Sequence, residues 1–233
     1  MKHLIVIPAR GGSKGIPKKN IYPVCGKPLL EYTLEAVLEA GISGDVVVST
    51  DSQEIAAVAE KYSGVIPIRR PDELSGDTAS TEIALIHALD YMKEHYGRDY
   101  ETVITMQPTS PLRRSSTIRN FVQTFESVYC QFDSQLSFTE SRSDYWIKNQ
   151  QGEFQRLFPD APRRRQERNP LYVENSCLYI TKSDVLRRCQ SVLGQRVNCY
   201  VISEIEGVDI NEPNDIKLAE FYLQLVQEEQ EQR

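Results

Sequence analysis

The chain lacks any apolar run approaching the ~20 residues of a membrane-spanning helix. Its opening "MKHLIVIPARGG" also lacks the small-residue cleavage site of a secretory signal, and the two absences together predict a cytoplasmic protein with no membrane partner. Positive charge is not in excess. The 27 Lys and Arg against 33 Asp and Glu leave a formal charge of -6, which excludes a general attraction to nucleic acid, so any anion site must be built from locally clustered cations. Cys25, Cys130, Cys177, Cys189 and Cys199 are odd in number and contain no C-x-x-C pair. That excludes a disulfide framework or zinc ribbon and predicts small, buried apolar side chains. Internal repeats are absent.

What is present is an α/β alternation. The runs "HLIVIPA", "DVVVST", "VIPIR", "TVITMQ", "SQLSFT", "CLYIT" and "CYVISE" have strand length and composition. Segments of helical period separate most of them, which predicts a mostly parallel sheet in one domain over 1–233. In the third helical segment Ile83, Leu85, Ile86 and Leu89 form the expected apolar stripe, with His87 at its edge rather than in a catalytic role. The alternation lapses over about 141–171, where two aromatic runs around "QQGE" precede an arginine cluster. This segment reads as an inserted hairpin and loop.

The first strand runs into "PARGGSKGIPKKN". In an open parallel sheet the first βα turn commonly holds phosphate. Glycines at 11, 12 and 15 let successive N–H groups face an anion, and of the segment's four cations, Arg10, Lys14, Lys18 and Lys19, the residues Arg10, Lys14 and Lys19 can add full charges around it. The spacing is neither the G-x-x-x-x-G-K-[ST] of a P-loop nor the G-x-G-x-x-G of a dinucleotide fold. One cation about 4 Å from a phosphate charge gives roughly 4 kcal/mol at an effective dielectric near 20, before desolvation, so several cations suit a triphosphate.

"IPARGGSKGIPKKNI", "VVVSTDS", "RRPDELSGDTAS", "MQPTSPLR", "RRRQERNPLYVENSCLYI" and "GVDINEPNDIKLAE" follow one another as in the acylneuraminate cytidylyltransferases, and the chain resembles that family over nearly its whole length. The resemblance implies a Rossmann-like nucleotidyltransferase fold with a small inserted dimerisation arm. It implies CMP transfer from CTP, with Mg2+, to the anomeric hydroxyl of a nonulosonic, sialic acid-like 2-keto acid sugar, releasing pyrophosphate from a homodimer. Carried over by residue, Arg10, Lys14 and Lys19 are catalytic. Ala9, Arg10, Gly11, Ser13, Lys19, Asn20, Arg70, Ala79 and Thr81 hold the nucleotide. Gln107, Arg165, Asn175 and Tyr179 face the acceptor, and Asp209 with Asn211 takes the metal.

Other readings stay open. Gln107 also fits a local amide hydrogen bond, and Tyr179 fits core packing. Arg163, Arg164, Arg165 and Arg168 suit a carboxylate or phosphate clamp better than nucleic acid on so acidic a chain. Tyr145, Trp146, Phe154 and Phe158 fit either a partner-covering arm or packing within the chain. The family's metal block has two aspartates where this chain has "VDIN", and its acceptor block has "PNG" where this chain has "ENS". Glu174 therefore stands beside Asn175, which raises a legionaminic, pseudaminic or Kdo-type acceptor, or a phosphonate. A nucleotide-sugar-using glycosyltransferase would carry a mid-chain Asp-x-Asp that "STDSQE" does not supply. A noncatalytic nucleotide-binding relative is the remaining alternative. None of His3, His87 and His95 falls in the matched blocks, so no general base is named.

Overall fold

Leu4, Ile5, Val6 and Ile7 are all fully buried, because the first strand lies at the centre of a sheet covered on both faces. The computed structural model describes residues 1–13, 15–76 and 79–231. In chain order the strands are β1 (His3–Pro8), β2 (Pro23–Val24), β3 (Lys27–Pro28), β4 (Gly44–Thr50), β5 (Val65–Arg69), β6 (Thr102–Met106), β7 (Ser134–Ser141), β8 (Trp146–Lys148), β9 (Phe154–Arg156), β10 (Leu171–Lys182) and β11 (Val197–Val201). The helices are α1 (Leu29–Ala40), α2 (Gln53–Ala59), α3 (Thr81–Tyr96), α4 (Ser115–Ser127), α5 (Ser183–Cys189) and α6 (Pro213–Glu231).

Seven strands form one sheet in the order β11-β7-β10-β6-β1-β4-β5. Its pairings are parallel except those of β10, which runs antiparallel to both β6 and β7. Alternate residues of a strand face opposite sides. Ile5 and Ile7 therefore pack with Leu34, Phe121 and Phe125 from α1 and α4, while Leu4 and Val6 pack with Leu85, Leu89 and Met92 from α3. The buried stripe of α3 is Ala84, Leu85, Ala88, Leu89 and Met92, and Ile83 is exposed, a shift of one position from the expected stripe. Ser80 caps this helix by accepting from the Ile83 N–H.

The cysteines depart from expectation. Only Cys177 is buried. Cys25 occupies the tight β2–β3 turn, with Cys25 and Gly26 both at positive φ. Cys130 and Cys189 lie at helix ends, and Cys199 is on the edge strand β11, all of them surface positions.

Chain from β1 passes to β4 and β5 on one side, then crosses to β6 on the other. The ends of β1 and β6 thus flank the switch point where open α/β sheets bind ligands. Between the paired residues Ser141 and Leu171, β8 and β9 form a separate antiparallel hairpin. Arg156, Arg163 and Arg168 all reach Asp144 there. The Arg156 hydrogen bond, more than any other contact, holds that carboxyl below its ordinary range. Among the described residues, no helix is long and apolar enough to cross a membrane.

Candidate active site

The loop after β1 is fixed by its neighbours before any ligand is considered. The Ala9 N–H donates to the Ser49 carbonyl at 2.9 Å, and the Gly11 N–H donates to Asp51 Oδ1 at 2.7 Å. A Cβ on Gly11 would stand 2.9 Å from Cβ of Ser52, and one on Gly15 would collide with the Asn211 carbonyl oxygen. Both glycines are required by close backbone approach. Asn20, which is buried, donates from its amide to the Arg10 carbonyl at 2.8 Å and so ties the two ends of the loop together.

Beside this loop lies a cavity of about 300 Å³ that brings together Arg10, Ser13, Lys19, Asn20, Arg70, Ala79, Thr81 and Gln107. Ala9 and Gly11 do not line it, although their chain neighbours Pro8, Arg10 and Gly12 do. Arg70 is only 6% exposed. Its guanidinium donates to the Ser49 hydroxyl at 3.1 Å and the Ser49 carbonyl at 2.8 Å. Burial lowers its pKa; attraction to Asp51 opposes this, and repulsion from Arg10 adds to it. Lys19 donates to the Ile210 carbonyl at 2.8 Å. Burial pulls its ammonium below the ordinary lysine value, Asp209 and Asp215 work against that, and Arg10 reinforces it. Arg10 is thus the common neighbour of two partly desolvated cations. Lys18 turns away from them to pair with Glu54 at 2.7 Å on the surface, and Lys14 lies outside the described residues.

A second cavity of about 340 Å³ shares Thr81 and Gln107 with the first. On its far side β10 is bulged between Glu174 and Tyr179, with Ser176 at φ +57°, a conformation costly for a non-glycine residue and often kept at functional sites. The bulge sets Glu174, Ser176 and Tyr179 along the cavity wall. The Tyr179 hydroxyl donates to Glu174 Oε1 at 2.5 Å. Burial first, and that bond second, raise the phenol pKa. Asn175 lines neither cavity. Its Oδ1 accepts from the Ser137 hydroxyl at 2.6 Å and the Cys177 N–H at 3.2 Å, and its Nδ2 is buried with no partner among the described residues. Arg165 sits exposed in a short 3-10 turn, Arg165–Glu167, away from both cavities. Its neighbours Arg163, Arg164 and Arg168 pair with Asp144 and Glu167 of their own segment.

Asp209 accepts a hydrogen bond from Asn211 Nδ2 on one oxygen at 2.7 Å. Its other oxygen is buried with no partner among the described residues, as suits a hard cation. Among those residues no group of three His, Cys, Asp or Glu side chains could hold a metal alone. The first cavity also takes Ser75, Gly76 and Thr109, which lie within the matched blocks but were assigned no role, and the second takes Glu82, Ser191 and Leu193, which no motif announced. They come from unrelated loops and meet only in the folded chain.

A family model described as cytidylyltransferase matches residues 4–200. The chain is 34% identical over 237 residues to a CMP-N,N'-diacetyllegionaminic acid synthase of Legionella pneumophila, covering 98% of this chain and 99% of that one. It is 32% identical over 221 residues to an N-acylneuraminate cytidylyltransferase of Escherichia coli, covering 94% of this chain and 51% of that one. A solved CMP:2-keto-3-deoxy-manno-octonic acid synthetase complexed with CTP superposes with a TM-score of 0.70 at 17% identity, over 97% of this chain and 99% of that one, and shares its fold. The chain belongs to the cytidylyltransferase family, with a nucleotidyltransferase fold of Rossmann-like α/β type.

Proposed function

We propose that the protein transfers CMP from CTP to the anomeric hydroxyl of a nonulosonic acid, a nine-carbon 2-keto acid sugar, and releases pyrophosphate. The observation that carries this reading is the meeting of two cavities at Gln107 and Thr81, one rimmed by Arg10, Lys19 and Arg70, the other by Glu174, Ser176 and Tyr179. A triphosphate fits the cationic cavity, and the hydroxyl and amide groups of the sugar fit the polar one, with the sugar's carboxylate directed away from Glu82 and Glu174. The similarity to enzymes named for legionaminic and acylneuraminic acids supports the acceptor class.

The step is an in-line displacement. The acceptor's anomeric oxygen bonds to the α-phosphorus as the bond to the α,β-bridging oxygen breaks. Pyrophosphate leaves with that electron pair, and the hydroxyl proton passes to solvent. Arg10 and Lys19 meet the charge that develops on the bridging oxygen, a preorganised electrostatic contribution of the kind that dominates phosphoryl and nucleotidyl transfer. Ser13 and the glycine loop's N–H groups hold the phosphates, while Asn20, Arg70, Ala79 and Thr81 surround the nucleoside. Magnesium, when bound, adds positive charge to the phosphate oxygens. Asp209 would hold it through the oxygen that has no partner among the described residues, together with substrate phosphate.

The same proposal includes a homodimer in the cytoplasm. Trp146, Phe154 and Phe158 are 51%, 71% and 46% exposed, and a second copy burying them would remove a large apolar surface from water. A pyrophosphate-release assay across the four ribonucleoside triphosphates and a panel of 2-keto acid sugars tests the reaction. Release only with CTP and a nonulosonic acid is expected. CTP binding without release would instead favour the noncatalytic reading.

A further inference from the structure

Arg113 is 3% exposed, yet none of the ion pairs among the described residues involves it. Removing a guanidinium from water is costly unless hydrogen bonds replace its hydration, and an apolar residue of similar volume would pack there without that cost. What the arginine holds therefore matters. One terminal nitrogen donates to the Cys177 carbonyl. The other donates to the Thr33 hydroxyl at 2.9 Å and the Gln107 carbonyl at 3.3 Å.

Of these partners Gln107 lines the second cavity, and Cys177, itself buried behind the wall, adjoins Ser176, which lines it too. Gln107 follows β6 at the junction of the two cavities. Cys177 follows Ser176, the left-handed residue of the β10 bulge that presents Glu174 and Tyr179. Thr33 lies on α1 and is itself fully buried, so it anchors the guanidinium to the rigid core. A connection also runs toward the phosphate side. The Thr109 carbonyl accepts from the Ile210 N–H at 2.9 Å, and the Ile210 carbonyl accepts from Lys19 at 2.8 Å.

Resting on the transfer reaction proposed above, we propose that Arg113 is a positioning residue for the acceptor: its buried guanidinium fixes the separation between Gln107 and the β10 bulge, and with it the seat of the incoming sugar. It touches no substrate. A planar fork suits this task, since its donors diverge in fixed directions, whereas a lysine ammonium offers a single point.

The test compares Arg113→Met, Arg113→Lys and Thr33→Val in the full chain. It reads acceptor KM and kcat by pyrophosphate release, CTP Kd by calorimetry without acceptor, and fold by circular dichroism. The expected result is an acceptor KM raised about tenfold or more in Arg113→Met, with CTP Kd within about twofold of the parent. Arg113→Lys should recover part of the loss, and Thr33→Val should shift KM in the same direction by less. Should Arg113→Met fail to fold, the other two variants carry the comparison. A loss of active fraction with both constants unchanged, or a parallel rise in KM and Kd, overturns the inference by reducing Arg113 to a structural role. No turnover in the parent protein with any nonulosonic acid overturns the transferase reading and this inference with it. Parent turnover with unaltered variants overturns this inference alone.

Discussion

The Asn211 side-chain amide donates to one carboxylate oxygen of Asp209 across 2.7 Å, while the other Asp209 oxygen is buried without a partner among the described residues. An aspartate at 211 would replace the donor with a second carboxylate at hydrogen-bond range, an arrangement that repels unless a cation or proton separates the charges. Asn211→Asp is therefore expected to lower the magnesium concentration for half-maximal turnover several-fold. It should also lose a little thermal stability when magnesium is removed. A magnesium titration superimposable on the parent's would show that position 211 has no part in metal use.

Arg70 combines deep burial with two hydrogen bonds to Ser49 and a place on the cavity wall. Hydrogen bonds to charged groups contribute about 1.5 to 3 kcal/mol, or roughly 10- to 100-fold in affinity. Arg70→Met is expected to weaken CTP binding by about that factor while acceptor KM moves little. Calorimetric titration of CTP into folded variant measures it, and unaltered affinity would take Arg70 out of the nucleotide site.

His3 is 1% exposed, with Nδ1 2.6 Å from the Thr102 hydroxyl and Nε2 3.2 Å from Glu126. Burial lowers its pKa below the ordinary 6.5, more than the attraction of Glu126 raises it. The unfolded chain then binds the proton more readily in the window below pH 6.5, so stability rises with pH through that window and is lost as pH falls through it. His87 shifts the same way, through burial and repulsion from Arg70. Urea unfolding at pH 7.0 and 5.5 should show a smaller acid loss for His3→Gln than for the parent; an equal or larger loss would assign it to other groups.

Phe154, 71% exposed on the β8–β9 hairpin, gives the most direct handle on the proposed dimer. Sedimentation velocity should find Phe154→Asp shifted toward monomer relative to the parent, with the far-ultraviolet spectrum unaltered. A parent that sediments as a monomer across the micromolar range would remove the dimer.

Much of the architecture was legible because it rests on local patterns. Leu4 to Ile7 announce a strand buried on both faces, and Arg10, Gly12 and Lys19 from the stretch that follows line the cavity at its end. The direction of β10 was not legible. Its sequence reads as a short run from Cys177, whereas the strand extends from Leu171 and is interrupted at Ser176, which adopts left-handed backbone without the glycine that would flag it. Lys18, the cation of that segment given no phosphate role, has a positive φ and pairs with Glu54. Arg113 closes the matched block "MQPTSPLR", but no role was legible for it, since only the fold brings Thr33, Gln107 and Cys177 around it.

The account depends most on the triphosphate being gripped beside β1, and the turnover of Lys19→Ala with saturating CTP, magnesium and a nonulosonic acid tests that most directly. Removing one preorganised charge from a developing oxyanion costs about 10²- to 10³-fold in kcat in comparable sites. Pyrophosphate release should fall by that factor while the circular dichroism spectrum and melting temperature stay close to the parent's. Turnover within a few-fold of the parent would contradict the account, because the reacting phosphates would then lie elsewhere.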